Sequence, residues 1–354
     1  MNDAATPRQL GYRWPAEWEP HAATWLSWPH NRESWPEKFE PVPEQFAELV
    51  RTLARYEVVN VLAGGEEAMR EAHRLVGDLT RVVLWDVPTN DAWCRDHGPT
   101  FLLAANSDQP AVMVDWEYNA WGGKYPPFNS DNLVPRRIND RLARRRFAPG
   151  VVLEGGSIEG NGRGLILTTE SCLLDPRRNL DATRERMENV LREFCCAQKV
   201  LWLTGGAIAG DDTDGHVDQI ARFVAHDTVV AAVESDPADE NFTPLLQNLR
   251  ELERMTDEKD RPLKIVPLPM PRPIVFNQQR LPGSYANFYI ANGVVVVPQF
   301  DDPADEVALQ TLTPLFPGRQ VVGLPARDLV LGLGAFHCLT QQEPAPARSA
   351  DIAE

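Results

Sequence analysis

One cycle of secondary-structure elements recurs along this chain and constrains its fold more than any other sequence feature. In each cycle an amphipathic helical pattern leads into a short apolar strand, the strand ends in a polar or glycine-rich loop, and a hairpin follows before the next helix. The strands are predicted at 81–86, 151–153, 199–203, 263–268 and 320–324. The helices that precede them are predicted at 66–75, 136–145, 181–196, 242–255 and 305–312. Small units of this kind need neighbours to cover their apolar faces.

The recurring cycle predicts an α/β protein whose five units close into a ring. The last unit lacks a second half, and a tryptophan-rich segment near the N-terminus contains a predicted strand at 22–27 that would complete it. In such a ring the loops after equivalent strands converge on one axis. A Rossmann domain is disfavoured, because no G-x-G-x-x-G sequence opens a helix and hairpins interrupt the strand-helix alternation.

Composition places the chain among globular proteins and excludes two kinds of partner. The chain has 354 residues, of which 43% are apolar and 24% charged, and its formal net charge is -16. This acidity argues against nucleic acid, which needs basic patches, and mildly favours cationic small molecules. No signal-peptide core and no membrane-spanning apolar run is present, so a cytoplasmic protein is expected. We expect one domain at 1–344 and an exposed tail at 345–354, and the sequence gives no oligomeric state.

The cysteines show no C-x-x-C spacing and are odd in number. The chain has Cys94, Cys172, Cys195, Cys196 and Cys338. Reduced thiols are therefore expected, rather than a disulfide framework or a zinc ribbon. Cys172, Cys195 and Cys196 accompany apolar patterns, and we interpret them as packing residues. Cys94 and Cys338 lie in loops crowded with polar residues and glycine, where the chemistry of a thiol matters more than its volume.

The segment 211–218, Asp-Asp-Thr-Asp-Gly-His-Val-Asp, gathers four carboxylates and a histidine in eight residues. A calcium loop fails on register, because Gly210 would take the first ligand position and Ala221 that of the bidentate glutamate. If His216 begins a strand, the alternation of side chains points His216 and Asp218 to the same side. A transition-metal site with these two ligands stays open.

A candidate site on the converging loops contains Cys338, His216, Asp96, Glu154 and Asp218. A thiol is a nucleophile only as thiolate, and a nearby histidine that can carry a proton makes it one. Carboxylates oppose thiolate formation unless the substrate is a cation. A guanidinium group fits, because it is planar, permanently charged and bound bidentately by carboxylates. Asp96 and Asp218 would hold it from either side while Cys338 attacks its central carbon.

Several motifs together resemble those of the agmatine deiminase and bacterial peptidylarginine deiminase family. They are WPAEWEPH at 14–21, WCRDHGPT at 93–100, EGG at 154–156, TDGHVD at 213–218, SYANFY at 284–289 and HCLTQQEP at 337–344. The resemblance runs from Tyr12 to Pro344. It implies the five-unit β/α propeller of the guanidine-modifying (pentein) superfamily, with a pseudo-fivefold arrangement around a central active site. It also implies conversion of agmatine and water to N-carbamoylputrescine and ammonia, without a metal or an organic cofactor.

The resemblance implies a role for each residue of the candidate site. Cys338 is the nucleophile, His216 the general acid and base, and Asp96 and Asp218 hold the guanidinium. Glu154 contacts the substrate or orients His216. Attack by Cys338 leaves an amidino thioether, and water activated by His216 then releases the ureido product.

Three further residues are expected to bind substrate. Trp93 would stack on the guanidinium or on its methylene chain. Asp212 would receive the distal amine of agmatine, and Gly334 belongs to the glycine-rich run before the catalytic segment. Family members often have an apolar residue at 94 and a small polar one at 97, whereas this chain has Cys94 and His97. An imidazole at 97 adjoins the carboxylate clamp and bears on the tail end of the pocket.

Other functions stay open at this point. The same site would serve a deiminase of peptidyl or free arginine. A metal-dependent hydrolase built on His216 and Asp218, or a non-catalytic ring that binds cations, also fits the acidic cluster. Glycine in 121–125 and 281–284 predicts mobile lids over the pocket.

Overall fold

The computed structural model describes residues 5–104 and 108–346, which form an α/β protein with mixed sheets. The strands are β1 Tyr12–Arg13, β2 His21–Ser27, β3 Val58–Leu62, β4 Val82–Trp85, β5 Thr100–Ala104, β6 Val112–Val114, β7 Arg146–Phe147, β8 Ile158–Gly160, β9 Leu165–Thr169, β10 Lys199–Leu203, β11 Ala221–Ala225, β12 Thr228–Val233, β13 Lys264–Pro269, β14 Ile274–Phe276, β15 Gln279–Leu281, β16 Tyr289–Ile290, β17 Val294–Gln299, β18 Gln320–Pro325 and β19 Thr340–Pro344. The helices are α1 Val42–Ala54, α2 Glu66–Val76, α3 Cys94–His97, α4 Ala120–Gly123, α5 Val134–Leu142, α6 Glu170–Leu173, α7 Arg184–Phe194, α8 Phe242–Leu252, α9 Ala304–Leu312 and α10 Phe336–Leu339. The expectations for the first four residues and for most of the tail at 345–354 lie outside the described residues.

Five sheets of three or four strands share one connection pattern. In each, an antiparallel pair is extended by a parallel strand that follows a helix. These trios are β5, β6 and β7; β8, β9 and β10; β11, β12 and β13; β16, β17 and β18; and β19, β2 and β3. The recurrence confirms the predicted cycle of helix, strand, loop and hairpin, and with it the mixed α/β class.

The first and last parts of the chain meet in one sheet. Strand β19 pairs antiparallel with β2, so that Gln341 lies opposite Trp25. The Trp25 indole also donates to Glu343 over 2.8 Å. The predicted N-terminal strand is thereby confirmed, and it supplies the half that the last unit lacks.

Helix α1 illustrates how the apolar periodicity builds the core. Phe46, Leu49, Val50 and Leu53 recur at helical spacing, and all four are fully buried. Each buried side chain of this size contributes roughly 1.5 to 3 kcal/mol of transfer free energy. The helix packs on β3 and β18, which joins the first and last units. Within the described ranges, no helix combines the length and the apolar character needed to cross a bilayer.

One predicted strand is wrong. Residues 151–153 form no strand, since Val152 makes only an isolated bridge to Glu117, and β7 provides the parallel strand of that sheet. A three-residue apolar run is too short to distinguish a strand from a buried connection. The helices predicted at 136–145 and 181–196 are present as α5 and α7, with ends displaced by up to three residues, which is usual for helix boundaries.

Candidate active site

The loops predicted to converge lie in contact, and each carries a single helical turn. These turns are α3, Gly155–Ser157, Val217–Gln219, Tyr285–Asn287 and α10. Each turn contacts the next along the chain, and α10 contacts α3, so the contacts close into a ring. Loops were predicted here because three or four residues are too few to leave a helical period in a sequence.

Cys338 lies in α10 with its thiol buried between an amide and a carboxylate. Asn287 Nδ2 donates to Sγ over 3.1 Å, and Sγ lies 3.6 Å from Asp218 Oδ2. Asn287 Oδ1 accepts from the backbone N–H groups of Ala335 and Cys338, over 3.1 and 3.3 Å. Burial, together with Asp218 and Asp96, raises the pKa of Cys338 well above its ordinary value. The thiol is therefore protonated in the free protein at neutral pH.

His216 is fully buried just before the turn Val217–Gln219. Its Nδ1 lies 3.7 Å from Asp96 Oδ1 and its Nε2 lies 3.9 Å from Glu154 Oε2, which are ion-pair distances rather than hydrogen bonds. Neither ring nitrogen has a hydrogen-bond partner among the described residues. Burial works against the charged form, but Asp96, followed by Cys172 and Glu154, holds the pKa of His216 well above its ordinary value. The imidazole is therefore protonated at neutral pH and able to donate a proton.

Asp96, Asp218 and His216 face one small space, which Gly156 keeps open. A Cβ at position 156 would lie 2.6 Å from His216 Nδ1, 2.9 Å from Asp96 Oδ1 and 3.0 Å from Asp218 Oδ2. The Gly156 N–H also donates to Asp96 Oδ1 over 3.0 Å. Asp218 Oδ1 is buried and has no partner among the described residues. One carboxylate oxygen is thus available to a cationic ligand.

The Oδ2 atoms of Asp96 and Asp218 each accept a hydrogen bond from an aromatic ring N–H. Trp121 Nε1 donates to Asp96 Oδ2 over 2.9 Å, and His337 Nδ1 lies 2.7 Å from Asp218 Oδ2. Burial raises the pKa of Asp96 despite the favourable charge of His216. For Asp218, burial acts in the same direction, but the contact with His337 holds its pKa below the ordinary value. Asp218 is therefore the more firmly ionised of the two.

Glu154 is bound by Arg178 and only approached by His216. Arg178 Nε lies 2.9 Å from both carboxylate oxygens, and both side chains are buried. Although burial opposes ionisation, Arg178 and His216 lower the pKa of Glu154 to about 2. Arg178 also donates to Asp214 and to the carbonyl oxygen of Thr213, each over 2.8 Å. It thereby ties Glu154 to the loop that carries His216.

Trp93 and Gly334 lie beside Cys338. Trp93 is buried and packs on Trp35, with ring centroids 5.4 Å apart. A Cβ at position 334 would lie 2.7 Å from the Trp93 ring and 3.1 Å from Cys338 Sγ. The absence of a side chain at Gly334 therefore lets the aromatic ring and the sulfur approach each other, and the stacking of Trp93 on substrate stays a prediction.

Asp212 is bound by cationic and hydroxyl groups of its own chain. Lys124 Nζ donates to Asp212 Oδ1 over 3.0 Å and to its carbonyl oxygen over 2.6 Å, and the Tyr125 hydroxyl donates to Oδ2. Lys124 also donates to Asp214 over 2.9 Å. Asp212 thus anchors the segment 121–125, and its contact with a distal amine stays a prediction.

His216 and Asp218 reach the same space without forming a strand. The prediction that they begin one is wrong, because Val217–Gln219 is a helical turn and β11 starts at Ala221. Asp211 shapes the loop before them, since it accepts from the N–H groups of Thr213 and Gly215 over 3.2 and 2.7 Å. Of the clustered carboxylates, Asp218 contacts the Cys338 thiol.

Cys94 is a core residue. It belongs to an apolar cluster with Trp25 and Phe101, and burial raises its pKa to about 12. The thiol of Cys94 packs into the interior, and the expectation that its chemistry matters more than its volume stays a prediction.

His97 is buried and neutral. Burial lowers its pKa to about 4, and its Nε2 lies 3.3 Å from the hydroxyl of Ser27. The ring packs edge-on against Tyr118 at 6.0 Å, and Tyr118 packs in the same way against Trp121 at 5.6 Å. His97 therefore supports the residue that holds Asp96, and its influence on the substrate tail would act through that packing.

Glu154, Cys172 and His216 are the one group of metal-ligating side chains found close together in the described ranges, with ligand atoms within 4.8 Å of one another. Their donor types suit zinc. They fit an ion poorly, however, because Arg178 already binds both oxygens of Glu154 and a cation would have to displace its guanidinium. The group contains His216 but not Asp218, the second ligand considered from the sequence.

Comparison with known proteins adds to this geometry. Residues 13–344 match a family model described as Porphyromonas-type peptidyl-arginine deiminase. The chain belongs to this family. The motif resemblance in the sequence is thereby confirmed.

Relatives of this deiminase family match along nearly the whole chain. An agmatine deiminase from Pseudomonas aeruginosa is 38% identical over 371 residues, covering 98% of this chain and 100% of that protein. One from Ectopseudomonas mendocina is 39% identical over 364 residues, covering 96% and 98%. The solved structure of the Enterococcus faecalis agmatine deiminase has a TM-score of 0.91 and 32% identity, covering 98% of this chain and 99% of that one.

Several residues of this deiminase site received no role from the sequence. Asn287 and His337 stand inside motifs shared with the family, and Trp121 stands in a glycine-rich segment predicted as a lid, so a signal existed without an assignment. Arg178 had no comparable signal. It lies 24 residues from Glu154, and only the fold brings the two together.

Proposed function

We propose that this protein hydrolyses the guanidino group of a small cationic substrate, agmatine, and releases ammonia. One observation carries the proposal: the Cys338 thiol, the His216 imidazolium and the carboxylates of Asp96 and Asp218 surround one buried space. The names of relatives that cover the whole chain support agmatine as the substrate. The second product is N-carbamoylputrescine.

Binding of the substrate cation also activates the nucleophile. In the free protein the two carboxylates oppose ionisation of Cys338. A guanidinium between Asp96 and Asp218 brings a positive charge beside the sulfur and offsets theirs, which lowers the pKa of the thiol. The thiolate therefore forms with its target in place. Its proton passes to solvent, because His216 is already protonated, and the thiolate takes a proton back after the product leaves.

In the first half of the reaction, Cys338 Sγ forms a bond to the guanidinium carbon, and a C=N electron pair moves onto nitrogen. His216 gives its proton to one amino group, the C–N bond breaks, and ammonia leaves. The product is an amidino thioether on Cys338. Glu154, fixed by Arg178, supports the charge of the His216 ring from its Nε2 side.

In the second half, the now neutral His216 takes a proton from water, and the resulting hydroxide attacks the same carbon. The C–S bond breaks, Sγ departs as thiolate, and the carbon keeps its new oxygen as a ureido group. One water is consumed and one ammonia released. Neither half needs a metal or an organic cofactor.

The proposal extends to architecture and partners. The five like sheets and the ring of helical turns support a five-unit β/α propeller with pseudo-fivefold symmetry, forming one catalytic domain at 1–344. The net charge of -16 supports a cationic small molecule as partner and not nucleic acid. We place the protein in the cytoplasm. In the proposed complex, Trp93 and Gly334 line the guanidinium site, and Asp212 lies near the substrate tail.

The direct test is turnover of agmatine with a metal chelator present. Equal amounts of ureido product and ammonia are expected, and Cys338→Ala should abolish both while leaving the circular dichroism spectrum unchanged. Cys195→Ala, which removes a buried thiol from another apolar cluster, is the matched control and should retain activity. Loss of turnover on chelation, or full activity of Cys338→Ala, would sink the proposal and favour a metal-dependent hydrolase.

Substrate competition separates the closest alternatives. Agmatine, free arginine and a peptide with a C-terminal arginine should be compared by kcat/KM. The family description names peptidyl-arginine, whereas the fully buried site and the covering contacts of Lys124 favour a short, slender substrate. Preference for the peptide would transfer the activity to protein substrates, and guanidine binding without ammonia release would indicate a non-catalytic cation-binding ring.

A further inference from the structure

His337 precedes the nucleophile, and its imidazole lies between two buried carboxylates. Its Nδ1 is 2.7 Å from Asp218 Oδ2 and its Nε2 is 2.9 Å from Glu17 Oε2. All three side chains are at most 4% exposed. Glu17 belongs to the tryptophan-rich N-terminal motif, to which the reaction assigns no role. His337 therefore connects Glu17, near the start of the chain, to Asp218, the carboxylate that contacts Cys338.

Both contacts require a donor on the histidine. A neutral imidazole has one N–H, whereas an imidazolium has two. Glu17 also accepts from Arg222 and Arg95, over 2.9 and 3.1 Å. Against the effect of burial, Arg222 and then His337 hold the pKa of Glu17 well below its ordinary value. Because a carboxylate oxygen lies within hydrogen-bond distance of each ring nitrogen, the geometry assigns both N–H groups, and hence the positive charge, to His337.

A fixed positive charge at this point acts on the nucleophile through Asp218. Asp218 Oδ2 lies 3.6 Å from Cys338 Sγ, and its negative charge opposes thiolate formation. The imidazolium, one hydrogen bond farther away, offsets part of that charge. By holding Oδ2, it also leaves Oδ1, which has no partner among the described residues, free to accept from a cation.

We propose that His337 is a positioning residue, a buried imidazolium that presents Asp218 Oδ1 to the guanidinium and keeps the Cys338 thiolate attainable. Glu17 holds the imidazolium in this orientation. The kinetic part of this inference rests on the proposed function, whereas the part that concerns thiol reactivity does not depend on which substrate is used.

Two uncharged variants separate the charge from the hydrogen bond. The amide of His337→Asn lies near the position of Nδ1 and keeps a donor to Asp218, while that of His337→Gln lies near Nε2 and keeps a donor to Glu17. Alkylation of Cys338 by iodoacetamide at pH 7.5, followed by peptide mass spectrometry, should be slowed about tenfold in both, the size of a one-unit rise in pKa. With agmatine, KM should rise more for His337→Gln than for His337→Asn, because only the latter still orients Asp218.

His21 provides the matched control. It is also buried, with Nδ1 3.1 Å from Glu57 and Nε2 2.7 Å from the carbonyl oxygen of Glu17, and it makes no hydrogen bond to Asp218. His21→Gln should lower the Tm as the His337 variants do, while its Cys338 alkylation profile stays that of the unmodified protein. Wild-type alkylation in both His337 variants, or equal slowing in His21→Gln, would overturn the inference.

A measurement on the unmodified protein covers the case in which the His337 variants fail to fold. The chain contains a single His-Cys peptide bond, so labelling histidine carbonyl carbon and cysteine nitrogen identifies His337 by NMR. Two ring N–H signals at pH 7.5 are expected, and an unprotonated ring nitrogen would refute the charged form. If the His337 variants are alkylated more slowly but the unmodified protein does not turn over agmatine, only the proposed function is refuted. If the unmodified protein turns over agmatine but the variants are alkylated at its rate, only the role of His337 is refuted.

Discussion

The Cys338 thiol lies in a negative environment, and its reactivity should reflect this. Burial, Asp218 and Asp96 all raise its pKa, so the thiolate is scarce near pH 7. We expect alkylation of the free protein to be slower at pH 7 than that of free cysteine and to rise about tenfold per pH unit through the alkaline range. Peptide mass spectrometry after timed iodoacetamide treatment measures this rate. A rate that is already constant below pH 8 would contradict it.

The space between His216, Asp96 and Asp218 exists because position 156 has no side chain. A methyl group there would come within 2.6 Å of His216 Nδ1 and 3.0 Å of Asp218 Oδ2. Gly156→Ala should therefore lower kcat/KM at least about a hundredfold, since displaced reacting groups and a filled pocket both raise the barrier. The backbone at Gly156 is not left-handed, so the Tm should fall by only a few degrees.

Gly323→Ala is the control for that substitution. A Cβ at position 323 meets the side chain of Gln299, a flexible group at a partly exposed position. Activity should remain within about twofold of the unmodified protein. Equal activity of the two alanine variants would show that Gly156 does not border the reacting groups.

At the residue scale, the sequence predicted the residues that line the candidate site better than the residues that hold them in place. All five residues of the candidate site reach the ring of helical turns: Cys338, His216, Asp96, Glu154 and Asp218. Ionisable side chains gathered in loops leave a recognisable pattern in a sequence. The supporting residues do not. An asparagine such as Asn287 is common in loops, and nothing in its identity shows that it donates to a sulfur 51 positions away.

At the scale of elements, the turn α4 is a strained part of the site. Ala120 and Trp121 have φ of 52° and 55°, and Gly122 and Gly123 continue in the left-handed region. Each non-glycine residue there costs roughly 1 to 2 kcal/mol. The turn is held by the Trp121 bond to Asp96 and by Lys124 on the acidic loop. We predict that this segment, which is strained and held at two points, opens for substrate entry.

Loss of the Lys124 contacts that hold α4 should weaken substrate binding more than it slows catalysis. Lys124→Met removes the contacts to Asp212 and Asp214 while keeping the length of the side chain. The closed turn then becomes less populated, and KM for agmatine should rise about fivefold or more with kcat little changed. Steady-state kinetics measure both. Lys264→Met, which breaks a surface pair with Asp227, is the control and should leave KM unaltered.

Elements with a full apolar period were predicted well. The helix at 66–75 and the strand at 199–203 match α2 and β10 in the structure, because a buried stripe or a run of branched residues is visible over that length. The helical turns that carry the reacting side chains escaped prediction. The conformation of these three or four residues depends on contacts with neighbouring units, and the local sequence shows no sign of those contacts.

For the whole molecule, closure of the chain completes the site. Strands β19 and β2 join the two ends, and Glu17 meets His337 across 320 positions. The sequence predicted that an N-terminal strand completes the last unit, since that unit would otherwise lack its second half. It did not predict that the same closure brings Glu17 to His337, the residue before Cys338, because long-range charge pairing depends on the assembled fold.

Buried charge pairs should also set the acid stability of the molecule. The pKa of Glu154 is lowered to about 2 by Arg178 against the effect of burial, so its contribution is complete above the unfolded pKa near 4.5 and is lost as pH falls toward 2. A depression of this size is worth about 3 kcal/mol. Glu154→Gln should therefore lower the free energy of unfolding by about this amount at pH 7.

The pH dependence of that difference distinguishes the charge from packing. Urea unfolding at pH 7 and at pH 3 should show the gap between the unmodified protein and Glu154→Gln shrinking in acid, since the wild-type carboxylate is then losing its advantage while other carboxylates titrate equally in both. Glu33→Gln, at an exposed position, should change stability by less than about 0.5 kcal/mol at either pH. A gap of constant size would mean that Glu154 stabilises the fold by shape, and that the Arg178 pair contributes no net charge stabilisation.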